Sequence, residues 1–250
     1  MSKIIGIVSG KGGVGKTTIC AGLAYAFAKR EKSVIAIDGD IGLKNLDILL
    51  GMSDNTAYDL TDILTDRCMI SKAIQINHNY PNLHFISASQ NAVADDIDKR
   101  RFRKLCRYLR NYYDYVLIDA PAGLGTGFKN IIDSCDECVV VATSDLTSIR
   151  DAQKTADIVS QVQGLTPYLV LNKINPQMIA KGYLQNIDEI IDTISLRLIG
   201  LLPSDDKLVV YSNKGTPIVD TTSVCAGPMA NIAGRIMGEN IPLDKYWRKK

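Results

Sequence analysis

The stretch Gly10-Lys11-Gly12-Gly13-Val14-Gly15-Lys16-Thr17 decides the fold. It follows an apolar run over residues 4–8 and opens onto helical patterning over residues 17–30. The spacing is G-x-x-x-x-G-K-[ST], and a strand before it with a helix after it is the context this pattern requires. Glycines let the backbone turn its N–H groups toward a β-phosphate, and the helix N-terminus adds a favourable dipole. Lys16 is then the group that reaches the β- and γ-phosphates, and the Thr17 hydroxyl is a ligand for Mg²⁺.

Outward from this loop, short apolar runs alternate with longer amphipathic stretches. Strands are predicted over residues 4–8, 33–38, 83–87, 115–119, 137–143, 168–172 and 197–203. Several are apolar on successive residues, as in Val116-Leu117-Ile118 and Cys138-Val139-Val140-Val141. That pattern suits strands buried on both faces, hence a parallel sheet covered by helices. Helices are predicted over 17–30, 94–112, 148–163 and 178–194. The layout is a doubly wound α/β fold, a mostly parallel sheet flanked by helices. Without an internal repeat or a Pro/Gly/Ser linker, 1–250 is expected to be one domain, with 239–250 a short tail.

Further polar residues fall where strands end, at the edge that faces the ligand crevice of such a sheet. The second strand ends in Asp38-Gly39-Asp40, two carboxylates able to hold or polarise water near a metal. Val116-Leu117-Ile118-Asp119 is an apolar strand ending in Asp, suited to the Mg²⁺ shell through water. After the strand at 168–172, Asn172-Lys173-Ile174-Asn175 has an amide where a guanine site needs a carboxylate, which favours ATP over GTP.

The second lysine inside the loop carries a resemblance. Lys11-Gly12-Gly13-Val14-Gly15-Lys16-Thr17 resembles the deviant Walker A motif of the MinD/ParA superfamily of P-loop ATPases, in its MinD branch above all. Asp38-Gly39-Asp40-Ile41-Gly42-Leu43-Lys44-Asn45-Leu46-Asp47 is similar to the family's switch I, and Ala120-Pro121-Ala122-Gly123 to its switch II. Phe128-Lys129-Asn130 and Ser148-Ile149-Arg150-Asp151-Ala152 follow the same spacing. The resemblance implies an ATP-dependent homodimer in which Lys11 reaches the partner's ATP, with Asp38 and Asp40 positioning water. It implies ATP on Gly10 to Thr18, adenine at Asn172, and base contacts from the backbone of Leu202-Pro203-Ser204-Asp205. Asn45, Arg150 and Asp151 are then candidates for the dimer and partner surface, where protein activators or inhibitors bind. The implied function is a switch that hydrolyses ATP to ADP and phosphate and positions the division site or flagella.

Bulk properties leave that expectation standing. A formal charge of +2 requires neither nucleic acid nor an anionic surface as partner. Six cysteines are too sparse for a disulfide scaffold, and neither a secretory leader nor a run of about 20 apolar residues is seen. The cytoplasm is the expected compartment, with peripheral contact at the inner face of the cell membrane. That contact is not written into the tail: the C-terminal amphipathic helix usual in the MinD branch is not evident, because Pro242 interrupts residues 238–250 and their apolar residues trace no stripe.

Two features point to other relatives. Residues 99–110 are densely basic, with Phe102, Leu105, Cys106 and Leu109 at helical spacing. Such a face suits the DNA backbone, as in ParA-like segregation ATPases, or anionic lipid or an acidic partner, but is most simply a solvated helix face. Cys135-Asp136-Glu137-Cys138 matches the pair used by iron–sulfur carrier ATPases, although Cys138 begins an apolar run and is expected to point into the sheet. His78 and His84 form no metal pattern with these cysteines.

Overall fold

The computed structural model describes residues 2–40, 45–53, 57–89 and 98–243. Eight strands form one sheet: β1 (Lys3–Val8), β2 (Val34–Asp38), β3 (Gln75–Ile76), β4 (Leu83–Ile86), β5 (Tyr115–Asp119), β6 (Glu137–Ala142), β7 (Thr166–Ile174) and β8 (Arg197–Pro203). Their order is β3-β4-β2-β5-β1-β6-β7-β8. Every pairing is parallel except that of β3, a two-residue antiparallel edge. Successive apolar residues in β1, β2, β5 and β6 are buried on both faces, as such a sheet demands.

The helices are α1 (Lys16–Ala28), α2 (Leu46–Leu49), α3 (Leu60–Leu64), α4 (Ile70–Ala73), α5 (Lys99–Leu109), α6 (Thr126–Ile132), α7 (Leu146–Ser160), α8 (Pro176–Ala180), α9 (Ile187–Ile194), α10 (Asp206–Asn213) and α11 (Ala226–Ile236). One face of the sheet packs α1 and α11, the other α5, α6, α7 and α9. Helix α1 is buried on nearly every side, so it is apolar all round rather than amphipathic. Helix α5 buries Phe102, Leu105, Cys106 and Leu109 at the predicted spacing, and the Asp98 carboxylate caps it by accepting from Arg101 N. Its predicted beginning, residues 94–97, lies outside the described residues.

Two expectations need correction. The helix predicted over 178–194 is two, α8 and α9. Gly182 takes a left-handed φ of 74° between them, and Asn186 caps α9 by accepting from Asp188 N. The start of the tail is also tied down. Arg235 donates to the carbonyls of Ile241 (3.0 Å) and Pro242 (2.5 Å), Glu239 pairs with Arg30, and Leu243 packs on the core. Residues 244–250, with Trp247 and the terminal basic cluster, lie outside the described residues.

Chain order reverses at β1, whose neighbours β5 and β6 lead away to opposite edges of the sheet. A crevice opens at the carboxyl ends of strands at such a point. There Asp38 and Asp119 are direct register partners, next to the loop that leaves β1.

Candidate nucleotide site

The loop from Ser9 to Lys16 is shaped by its glycines and braced from below. Gly15, the N-cap of α1, sits at φ 98°. A Cβ there would lie 2.3 Å from Asn172 Nδ2, so only glycine fits on both counts. A Cβ on Gly10 would lie 2.7 Å from the Asp151 carbonyl, so α7 packs directly on the start of the loop. From β7, Asn172 Nδ2 donates to Val14 O (2.8 Å) and Lys173 Nζ to Gly13 O (2.8 Å). Two loop carbonyls are thereby turned toward β7. That brace from Lys173, itself at φ 55°, has no signal in the sequence beyond its place in the Asn-Lys pair.

Above the loop is a cleft of about 670 Å³ lined by Gly12 to Thr18 without Val14, by Asp40 and Asn45, and by Asn172, Pro203 and Asp205. Val14 itself is buried beneath it. The far wall adds Leu208 and Val209 of α10, an apolar surface the sequence did not single out. Asp205 caps α10 by accepting from Lys207 N and also accepts from Ser223 Oγ at 2.6 Å. Its carboxylate is therefore committed within its own fold.

Two charged groups, Lys16 and Asp40, line the cleft, and two more, Asp38 and Asp119, are buried at the ends of β2 and β5 beside it. Lys16 is buried, and burial pulls its ammonium below the usual lysine range against the opposing charges of Asp119 and Asp40. Burial raises the Asp38 carboxyl to about 7, although Asp40 N donates to its Oδ1 (3.1 Å) and Asn45 N and Leu46 N to its Oδ2 (3.3 Å each). Asp38 thus gathers both ends of the segment 41–44, which itself lies outside the described residues. Burial and the Asp38 charge raise Asp119 well above the carboxylate range, with Thr17 and Lys16 pulling the other way. Burial likewise raises Asp40, which Lys16 opposes. Asp119 Oδ1 is buried with no hydrogen-bond partner. A desolvated, unpartnered carboxylate oxygen beside a threonine hydroxyl fits a hard divalent cation, which takes oxygen ligands.

This arrangement carries a pH dependence of known sign. Asp38 and Asp119 hold protons more tightly in the folded chain than at the ordinary carboxylate pKa of about 4. Stability is therefore lost as pH rises from about 4 through about 7 for Asp38 and about 8 for Asp119, the reverse of a typical acidic group. Without nucleotide, wild type should lose on the order of 1 kcal/mol relative to Asp119→Asn between pH 5 and pH 8, read from urea unfolding midpoints. A difference that stays constant with pH would remove the buried pair as its source.

The AAA domain family matches residues 2–173. A septum site-determining protein MinD from Synechocystis is 37% identical over 244 residues, covering 97% of this chain and 92% of that one. The chain belongs to the MinD family.

Solved MinD structures superpose on it throughout. The MinC:MinD cell division protein complex of Aquifex aeolicus matches at TM-score 0.91 and 34% identity, covering 98% of this chain and 100% of that chain. MinD complexed with Mg-ADP from Pyrococcus horikoshii matches at 0.84 and 26%, covering 96% and 100%. The family resemblance read from the loop and the doubly wound fold are both borne out.

The MinD-type lysine is folded back on its own chain. Lys11 Nζ donates to Asp145 Oδ1 (3.0 Å) and Thr147 Oγ1 (2.7 Å) at the start of α7. Burial works against the charge on Asp145, yet hydrogen bonds from Thr143, Thr147, Lys11 and Ser148 N hold its carboxyl well below the usual range. Sequence reasoning missed Asp145 and Thr147, although Asp-x-x-Ser before an apolar stretch is a helix-cap signal. Arg150, exposed, and Asp151, half-buried, stand one turn further along α7, and exposed Asn45 precedes α2 at the cleft rim without a side-chain capping bond. Phe128, by contrast, is fully buried in the core.

The cysteine pair has a structural place. Cys138 is buried in β6, and the Cys135 thiol donates to Ile131 O (3.1 Å), with burial raising both thiols far above their ordinary pKa. Among the described residues no group of three or more His, Cys, Asp or Glu is arranged to hold a metal ion. No described helix is long and apolar enough to cross a membrane.

Proposed function

We propose that the chain is a Mg²⁺-dependent ATPase of the division-site-placement kind, switched by nucleotide between a monomer and a homodimer. The observation that carries this reading is the convergence of Lys16, Thr17 and Asp40 on one cleft above the glycine loop, with the unpartnered, buried oxygen of Asp119 on the residue that meets Thr17. The names of its relatives, a septum site-determining protein and a Mg-ADP complex, support the task and the ligand.

In this reading the loop N–H groups and Lys16 hold the β- and γ-phosphates, and Thr17 with Asp119 (through water) holds Mg²⁺. When bound, the ion neutralises charge on the transferring phosphoryl group. Asp40 orients the attacking water, while Asp38 fixes the backbone that carries Asp40. Asn172, Pro203 and Asp205 border the base. Lys11 leaves Asp145 and Thr147 to complete the site of a second copy, so hydrolysis would release the dimer. Arg150 and Asp151 on α7, with Asn45 at the cleft rim, are the proposed dimer and partner surface. The MinC:MinD complex of a relative supports a protein partner. Six unpaired cysteines, four of them buried, suit the reducing cytoplasm.

The test is light scattering after size exclusion, with Mg-ATP and with Mg-ADP, on wild type and Lys11→Ala. A wild-type dimer only in ATP, absent in Lys11→Ala, is the expected result. A Lys11→Ala protein that dimerises as well as wild type would remove the cross-subunit role.

A further inference from the structure

On the face opposite α1, far from the phosphate loop, a groove of about 690 Å³ runs between the α3–α4 connection and α5. Ile63, Leu64 and Leu105 form its apolar floor. Met69 (66% exposed) and Tyr108 (46% exposed) stand on opposite banks with their apolar surfaces in water. No residue lining this groove lines the nucleotide cleft.

The charge on its α5 bank is one-sided. Arg100, Lys104 and Arg107 recur at helical spacing on α5, all exposed, and none makes an ion pair with a described residue. Arg103 adds a fourth such cation. The acidic side chain on the lining, Asp66, is already engaged by Arg101, which also donates to Leu64 O (2.7 Å). An apolar trough with an adaptable thioether on one bank and, along the other, cations without an ion pair among the described residues has a definite complement.

We propose that this groove docks an acidic amphipathic segment of a partner protein, its apolar side chains on the floor and its carboxylates along α5. Nucleic acid would use the cations but leave Met69 and the trough unpaired, and a flat bilayer surface does not enter a trough. A helix in a groove uses both features at once.

The test is a display selection of random 18-residue peptides on the full-length protein, followed by fluorescence anisotropy of the enriched peptides. Enriched sequences should carry apolar residues three and four apart with Asp or Glu beside them. Binding should weaken about tenfold or more in Lys104→Glu/Arg107→Glu and in Met69→Glu, and fall with added salt. The milder Lys104→Ala and Arg107→Ala guard against misfolding, and ATP hydrolysis should be unchanged in all of them. Enrichment of basic or uncharged peptides, enrichment of none, or binding indifferent to these variants would each overturn the proposal. So would a DNA duplex or phosphatidylglycerol vesicles binding through Lys104 and Arg107 when no acidic peptide does.

Discussion

Lys16→Ala is expected to weaken Mg-ADP and Mg-ATP binding by about two to three orders of magnitude, the scale for removing one partner of a desolvated charge pair. The lysine is buried at the cleft floor, where burial pulls its ammonium down and the charges of Asp119 and Asp40 oppose that shift. Removing it has a second consequence. Asp119 and Asp40 then lose the ammonium that faces them, and their carboxyl groups move further toward the protonated form. A protonated Asp119 is a poor partner for Mg²⁺, so nucleotide and metal affinity should fall together. Titration calorimetry with Mg-ADP at pH 7 and pH 9 separates the two effects. Partial recovery at the higher pH reports the carboxylates, and the remaining deficit reports the lost phosphate contact. Retention of wild-type affinity within about threefold at pH 7 would exclude Lys16 as a phosphate ligand.

Much of this site was legible because its signals are local. The glycine spacing, the strand before it and the helix after it are read within thirty residues, and the chain folds there as the pattern requires. The same holds for α5, where Phe102, Leu105, Cys106 and Leu109 are the residues that became buried. What was not legible depends on contacts between distant segments. Lys11 meets Asp145 across 134 residues, and Lys173 meets Gly13 across 160. Asn172, tied by resemblance to adenine, donates its amide to the carbonyl of Val14 while bordering the cleft. No periodicity encodes such pairings. The break at Gly182 was visible as a glycine, but the apolar residues on either side continue in a helical rhythm and masked it.

Asp40→Ala should lower the hydrolysis rate by about 10²–10⁴-fold, the range for a lost proton-transfer or water-orienting group, with nucleotide affinity little changed. The reason lies in how the two acids after β2 divide their contacts. Asp38 is 1% exposed and spends both oxygens on the N–H groups of Asp40, Asn45 and Leu46. Asp40 is half-buried and lines the cleft. Truncating Asp38 should therefore loosen the loop and impair binding and turnover together, whereas truncating Asp40 should impair turnover alone. Single-turnover hydrolysis and equilibrium binding of Mg-ATP distinguish these patterns. In the proposed switch, Asp40→Ala should also stay dimeric in ATP for as long as the nucleotide survives. If Asp40→Ala hydrolyses ATP at the wild-type rate, the water is oriented by another group. If it loses binding as Asp38→Ala does, the division of labour between the two carboxylates is wrong, although the phosphate site set by Lys16 would stand.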